Sequence, residues 1–278
     1  MRTDAETLLP LADWLGQHAL PVYLGLLATL LASSAACWWL LRRYHVPRAQ
    51  SRLPPALYLG VRLAAGFGVI VAAAWLFAEV AEKLGTDGSS GAMGRADQAL
   101  ADSLRSHVPL LALQGFALLT RLADTPTVTG VCAVVAVLLV LRGLRWLALG
   151  WVLAVAGNGL LNTTLKQIFA RVRPVHDDGL VLAQGFSFPS GHSSGSVVMF
   201  GMLAYVLCRF VPPRGHLPLV LAAVALAFSV GVSRVFLRVH FASDVLAGFA
   251  SGTAWLAVCI ASIELTRWMY PRPEIYKK

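Results

Sequence analysis

Charged residues are scarce in this chain of 278 residues: they make up 13% of the sequence, whereas hydrophobic residues make up 57%. Soluble globular domains typically contain about 25% charged residues, so the composition excludes an ordinary soluble domain. The hydrophobic residues are gathered in long blocks, which is typical of helices that span a membrane. The sequence therefore predicts an integral membrane protein.

Cysteine is also scarce, and each of its four copies lies alone inside an apolar block. They are Cys37, Cys132, Cys208 and Cys259. They show neither a CxxC spacing nor histidine partners, so a disulfide framework and a zinc site are not expected. Small apolar packing residues are the favoured interpretation.

Acidic residues are fewer than basic ones, and the formal net charge is +9. Such an excess can indicate nucleic-acid binding. Here, however, the basic residues stand in short loops between apolar blocks, so no nucleic-acid partner is expected. The first 17 residues are acidic and mixed, which does not fit a cleavable signal peptide.

Seven apolar blocks come near the length of about 20 residues that a spanning helix needs. They are Leu20–Leu41, Leu57–Ala78, Thr127–Leu141, Trp146–Leu165, Gly195–Phe210, Leu217–Val235 and Val245–Ile263. Lys and Arg are concentrated after the first, third, fifth and seventh blocks, which predicts that these ends face the cytoplasm. The sequence thus predicts a multi-pass protein of the cell (inner) membrane, with its N-terminus outside and its C-terminus inside.

The long outer segment, residues 83–125, carries apolar residues at helical spacing opposite Asp97, Asp102 and Arg105. This pattern predicts an amphipathic helix on the outer membrane surface. The following stretch, Leu110–Leu122, is apolar but too short to span alone, so a re-entrant or interfacial helix is predicted there.

Three polar clusters fall at the outer ends of the spanning blocks. In the first, Lys166 and Arg173 stand seven residues apart and would share a face if the helix continued to Arg173. Pro174 disfavours helix at the residue before it and places Arg173 at a boundary. Both cations suit phosphate oxygens. Snorkelling at a helix end is the alternative, but the predicted side of the membrane is poor in positive charge.

The second cluster is Ser187–Ser193, in which Pro189, Ser190 and Gly191 precede His192 and a long apolar run. A serine at this position predicts a helix cap, and the start of a helix suits a bound phosphate. His192 would lie beside such an anion.

The third cluster contains Ser233, Arg234, His240 and Asp244. A carboxylate four residues after a histidine can reach the imidazole on a helix and stabilise its charged form. A helix cap and its neighbour are the alternative interpretation of this pair. A rival cluster, His176, Asp177 and Asp178, could bind a metal or a head group, but a solvated loop is the favoured reading.

In this order, K-x6-R-P, P-S-G-H and S-R-x5-H-x3-D resemble the three-part signature of the type 2 phosphatidic acid phosphatase (PAP2) superfamily. No position of the signature is substituted. The resemblance implies a six-helix all-α membrane core, to which Leu20–Leu41 adds one N-terminal transmembrane helix. The implied division is 1–56 for the tail, extra helix and basic loop, 57–265 for the phosphatase core, and 266–278 for a basic tail.

The resemblance also implies roles for the residues. His240 would be the nucleophile and form a phosphohistidine, Asp244 would orient it, and His192 would be the acid and base. The residues that would hold the phosphoryl oxygens are Lys166, Arg173, Ser190, Gly191 and Arg234. Three cations can supply the charge stabilisation that a metal gives elsewhere, so neither a metal nor another cofactor is expected.

The expected activity is hydrolysis of a membrane lipid phosphate, with a lean toward a polyprenyl diphosphate such as undecaprenyl diphosphate. Phosphatidate, phosphatidylglycerol phosphate and lipid A phosphate are not separable from it by sequence. A lipid phosphotransferase would use the same residues. Vanadate-dependent haloperoxidases have a similar constellation but are soluble. A transporter or inactive scaffold is the non-enzymatic alternative, and the nearest mid-membrane polar candidates for it are Asn158, Asn162, Thr163 and Thr164.

Overall fold

The computed structural model describes residues 2–44, 55–84, 91–174, 180–181 and 183–269, and these residues form ten α-helices and no β-strand. The helices are α1 Arg2–Gln17, α2 Ala19–Tyr44, α3 Pro55–Lys83, α4 Ala92–His107, α5 Leu110–Thr120, α6 Thr125–Leu141, α7 Arg145–Phe169, α8 Gly191–Leu207, α9 His216–Phe236 and α10 Ala242–Met269. The predicted all-α fold is confirmed. The rival loop cluster His176, Asp177 and Asp178 lies outside the described residues.

Each of the seven predicted blocks falls largely within one helix, but not every helix is long enough to span a membrane alone. Within the described residues, α2, α3, α7, α9 and α10 qualify by length and composition. Helix α8 has only 17 residues, and α6 qualifies only together with α5, as a pair bent by 42°. By length and composition, the described residues thus hold five candidate spans, or six if the bent pair counts as one, where the sequence predicted seven spanning blocks. The protein is a multi-pass membrane protein.

The corner between α5 and α6 gives either a broken span or a re-entrant segment. For Leu110–Leu122 the sequence predicted a re-entrant or interfacial helix. A 3-10 turn over Arg121–Ala123 ends in Asp124, whose extended backbone (φ −65°, ψ 148°) redirects the chain. Pro126 lies in the first turn of α6, where a missing N–H costs nothing. The corner brings Thr120 and Asp124 toward the ends of α8 and α9.

Helix α8 packs between α9 and α10 at the centre of the bundle. A Cβ atom at Gly248 would lie 2.6 Å from the Ser190 carbonyl oxygen, and one at Gly252 would lie 2.8 Å from the Ser194 Cα. Only glycine allows α10 to approach α8 this closely. The contact therefore sets the start of α8 directly beside the start of α10.

The N-terminal helices contact the bundle at two places. Helix α1 packs on α4, and α2 packs on α9, where the Tyr23 hydroxyl lies 2.8 Å from the Ser229 hydroxyl. Helix α4 confirms the helix predicted in the outer segment. Its predicted polar face is wrong at one position, however, because Asp97 is 6% exposed and faces the bundle rather than solvent.

Candidate active site

Lys166 and Arg173 reach the same loop from two different segments. Helix α7 ends at Phe169, and Ala170 caps it in the left-handed region at φ 44°. The helix does not continue to Arg173, so the shared helical face is not formed. Instead the Lys166 ammonium donates to the Phe186 carbonyl, while Arg173 Nε donates to the Gly185 carbonyl at 3.0 Å. The two cations thus converge through tertiary structure.

Arg173 also contacts the imidazole of His240. Its Nη1 donates to the Val239 carbonyl at 2.6 Å and lies 3.1 Å from His240 Nε2. Guanidinium is only a donor, so Nε2 is the accepting nitrogen and Nδ1 carries the hydrogen. Burial lowers the pKa of His240 to about 3, against the opposing pull of Asp244, so the ring is neutral at physiological pH. Burial likewise lowers the pKa of Arg173 below its ordinary value.

Asp244 is fully buried and joins the second and third motifs. Its Oδ2 lies 3.4 Å from His240 Nδ1 and accepts the Phe241 N–H at 2.9 Å and the Ser187 hydroxyl. Its main-chain carbonyl accepts the Ser190 N–H at 2.9 Å. These bonds hold the carboxylate and the start of α8 in one unit, although His240 itself precedes α10 rather than lying on it.

Ser190 caps α8 as the sequence predicted. Its hydroxyl accepts the Ser193 N–H at 3.4 Å and the Ser193 hydroxyl at 2.9 Å. A Cβ atom at Gly191 would lie 2.8 Å from Asn162 Oδ1, and Asn162 Nδ2 donates to the Pro189 carbonyl at 3.4 Å. Asn162 therefore stabilises the first turn of α8. This structural role explains the residue more simply than a transport site does.

His192 and Arg234 both find partners at the corner between α5 and α6. His192 Nε2 lies 3.0 Å from Asp124 Oδ1, and Arg234 Nη1 donates to the Thr120 hydroxyl at 2.9 Å. Sequence reasoning missed both partners. In the sequence, Asp124 precedes Thr-Pro and an apolar run. This pattern predicts a residue that caps a helix, but it does not predict the contact with His192.

Two further charged residues were missed, Arg171 and Asp97. Arg171 Nη1 donates to Asp244 Oδ1 at 2.6 Å, and Nη2 donates to Asp97 Oδ2 at 3.0 Å. Burial raises the pKa of Asp97 above its ordinary value, although Arg171 opposes this shift. Arg171 could have been noticed as a second arginine inside the first motif, whereas nothing in the sequence linked Asp97 to it.

All of the predicted site residues meet at one end of the bundle. They stand at the end of α7, the start of α8, the end of α9 and the start of α10: Lys166, Arg173, Ser190, Gly191, His192, Arg234, His240 and Asp244. Such a cluster, with cations, a helix N-terminus and two histidines, suits a phosphoryl group and acid–base chemistry. In the described part of the chain, no group of three or more His, Cys, Asp or Glu residues is placed to hold a metal.

Part of the chain is similar in sequence to known proteins. A model of the PAP2 superfamily matches residues 145–268. Phosphatidylglycerophosphatase B of Bacillus subtilis strain 168 is 41% identical over 109 residues, covering 38% of this chain and 53% of that protein. Lipid A 1-phosphatase of Rhizobium johnstonii is 32% identical over 127 residues, covering 42% of this chain and 48% of that protein. The chain thus matches about half the length of these relatives.

The fold agrees with a solved structure over a larger part of the chain. The crystal structure of a transmembrane PAP2-type phosphatidylglycerolphosphate phosphatase from Bacillus subtilis matches with a TM-score of 0.65 and 25% identity, covering 73% of this chain and 98% of that chain. The matched family region contains all three motifs, which meet at one end of the bundle. Residues 145–268 are therefore similar in sequence to the PAP2 superfamily, and the fold of the chain is similar to that of a transmembrane PAP2-type phosphatase.

Proposed function

We propose that this protein is an integral membrane lipid phosphatase that hydrolyses the phosphomonoester or diphosphate of a membrane lipid through a phosphohistidine on His240. The observation that carries the proposal is the orientation of the His240 ring, whose Nδ1 faces Asp244 and whose Nε2 faces the Arg173 guanidinium. A neutral ring whose unprotonated nitrogen lies among cations is arranged to attack a phosphorus atom.

In the first step, Nε2 of His240 attacks phosphorus as the bond to the lipid oxygen breaks. The ring gains positive charge, which the Asp244 carboxylate stabilises through Nδ1–H. His192 donates a proton to the departing lipid oxygen. In the second step, the same histidine takes a proton from water, and the resulting hydroxide breaks the P–N bond to release inorganic phosphate.

The phosphoryl oxygens would be held by Lys166, Arg173 and Arg234, together with the N–H groups at the start of α8. In this structure the cations donate to carbonyl and hydroxyl oxygens: Phe186 and Gly185 in the loop, and Thr120 on α5. A bound phosphoryl group would compete for these donors as a stronger, charged acceptor. The Ser190 hydroxyl already accepts hydrogen bonds in the helix cap. The predicted contact with a phosphoryl oxygen at this position would therefore come mainly from the neighbouring backbone N–H groups.

Lipid phosphates are the proposed substrate class because the site belongs to a membrane-spanning bundle and because the named relatives are lipid phosphatases. Phosphatidylglycerol phosphate, phosphatidate, lipid A phosphate and a polyprenyl diphosphate all carry the required group. We place the site on the extracytoplasmic face, on the basis of the charge bias of the loops.

Phosphate release from a panel of these lipids tests the function, with the protein purified in detergent. We expect release from at least one lipid and loss of more than about 1,000-fold of the rate in His240→Gln and in His192→Ala, since each removes a reacting group. Transfer of the phosphoryl group to an added acceptor lipid, in place of water, would assign a phosphotransferase. Normal turnover by folded His240→Gln protein would refute the mechanism.

A further inference from the structure

Three buried charged side chains form a chain that ends at the proposed nucleophile. Asp97, Arg171 and Asp244 are 6%, 4% and 0% exposed. Arg171 lies between the two carboxylates, 3.0 Å from Asp97 and 2.6 Å from Asp244. Buried charges are costly unless they are paired and hydrogen-bonded, so the placement of each group depends on the others.

Asp97 is tied to the start of α10 as well as to Arg171. Its Oδ1 accepts the Ser243 N–H at 3.2 Å, and its Oδ2 accepts the Ser243 hydroxyl. That hydroxyl also accepts from Arg171 Nη1 at 2.8 Å. Asp97, on α4, therefore places a carboxylate against the first turn of α10, where negative charge is favourable. It contacts that turn at Ser243, the residue before Asp244.

Arg171 determines which oxygen of Asp244 is available to the imidazole. It occupies Oδ1, and Oδ2 is left for His240, the Phe241 N–H and Ser187. The guanidinium carbon also lies 4.2 Å from the centre of the Phe241 ring, next to His240 in the chain. Rotation of the Asp244 carboxylate is thus restricted by a group that Asp97 holds in place.

The net charge of Asp97, Arg171 and Asp244 also links Asp97 to His240. One guanidinium between two carboxylates leaves one net negative charge, which the His240 ring can neutralise when it becomes positive. Other cations, Arg173 and Arg234, lie close enough to oppose that positive charge. If the charge of Asp97 were removed, Arg171 would neutralise Asp244 alone, and the positive ring would lose its counter-charge.

We propose that Asp97 is a positioning residue for phosphoryl transfer, which acts through Arg171 to orient Asp244 and to supply the net negative charge beside His240. The inference rests on the proposed lipid phosphatase function. It assigns to the outer helix α4 a part in the reaction rather than a place on the membrane surface alone.

The variant Asp97→Asn tests the proposal, because it replaces one carboxylate oxygen by an NH2 group and removes the negative charge. We expect kcat for the lipid phosphate to fall roughly 10- to 100-fold, the range typical of residues that orient a reactive group. The inhibition constant of inorganic phosphate should stay within about twofold, since Lys166, Arg173 and Arg234 are unchanged. Asp97→Glu keeps the charge and should restore part of the rate.

The matched control is Asp102→Asn, which changes an exposed carboxylate on the same helix that accepts from Gln98 at 3.0 Å. It should behave as wild type. If Asp97→Asn does not fold, Asp97→Glu carries the test, with a reduced kcat at an unchanged inhibition constant.

Three results would overturn the inference. Wild-type kcat in folded Asp97→Asn would remove the role. A loss of phosphate binding and of thermal stability in proportion to kcat would make Asp97 structural only. A wild-type protein that releases phosphate from no lipid would refute the proposed function and this inference with it, whereas the first two results leave the function intact.

Discussion

The imidazole of His192 is held by a carboxylate from a distant part of the chain, with Nε2 of His192 3.0 Å from Oδ1 of Asp124. Asp124 is the residue from which α6 begins, and its side chain is 43% exposed. Each of the two histidines of the site therefore has its own aspartate. Asp244 belongs to the sequence motifs, whereas Asp124 does not.

We expect Asp124→Asn to lower kcat/KM for a lipid phosphate roughly 10- to 100-fold, because the carboxylate orients His192 and stabilises its protonated form. The lipid oxygen is a poor leaving group and needs that proton. With p-nitrophenyl phosphate, whose leaving group needs none, the loss in kcat/KM should be clearly smaller. Equal losses with both substrates would contradict the assigned role.

Gly248→Ala should destabilise the protein by about 1–3 kcal/mol and reduce activity, because the added methyl group would press α10 against Ser190 and Ser193. Thermal unfolding in detergent, followed with a phosphate-release assay, measures both effects. The control is Gly159→Ala on α7, where a Cβ atom meets nothing within 4 Å. That variant should stay within about 1 kcal/mol of wild type.

The orientation in the membrane can be tested with single cysteines in a cysteine-free background. Gln184→Cys lies in the exposed loop at the site, and its carbonyl contact with Arg173 does not depend on its side chain. It should react with a membrane-impermeant maleimide in intact cells. Arg214→Cys, exposed before α9, should react only after lysis. The opposite pattern would reverse the topology.

Chelation should leave the reaction unchanged. In the proposed mechanism, three cationic side chains, Lys166, Arg173 and Arg234, provide the charge that a metal supplies in many phosphoryl-transfer enzymes. Dialysis against EDTA followed by assay with and without added Mg²⁺ should give the same rate. A loss on chelation that Mg²⁺ restores would show that a metal takes part.

Much of the fold could be predicted because long apolar runs report spanning helices directly. The start of α8 could also be predicted, because a serine before an apolar run, here Ser190, is a local capping signal. The end of α7 was not. A left-handed residue after a helix is usually glycine, and here it is Ala170, so no sequence signal marked the turn that separates Lys166 from Arg173.

The motif residues of the site could be named from the sequence, but their partners could not. Asp97 and Arg171 are 74 residues apart, and His192 and Asp124 are 68 apart. Such contacts depend on how α4 and the corner between α5 and α6 pack on the bundle. A polar residue that looks solvent-facing in a helical pattern, as Asp97 does, can face a buried cation instead.

Both supporting aspartates, Asp97 and Asp124, precede the region that matches the PAP2 family, residues 145–268. The two proposed reacting histidines therefore lie in one part of the chain together with Arg171 and Asp244, whereas Asp97 and Asp124 lie in another. A chimaera that joins residues 145–268 to the N-terminal half of a relative would keep both histidines and Asp244 while exchanging the residues at positions 97 and 124. Divergence within one family could therefore retune rate and lipid preference while the reacting atoms stay unchanged.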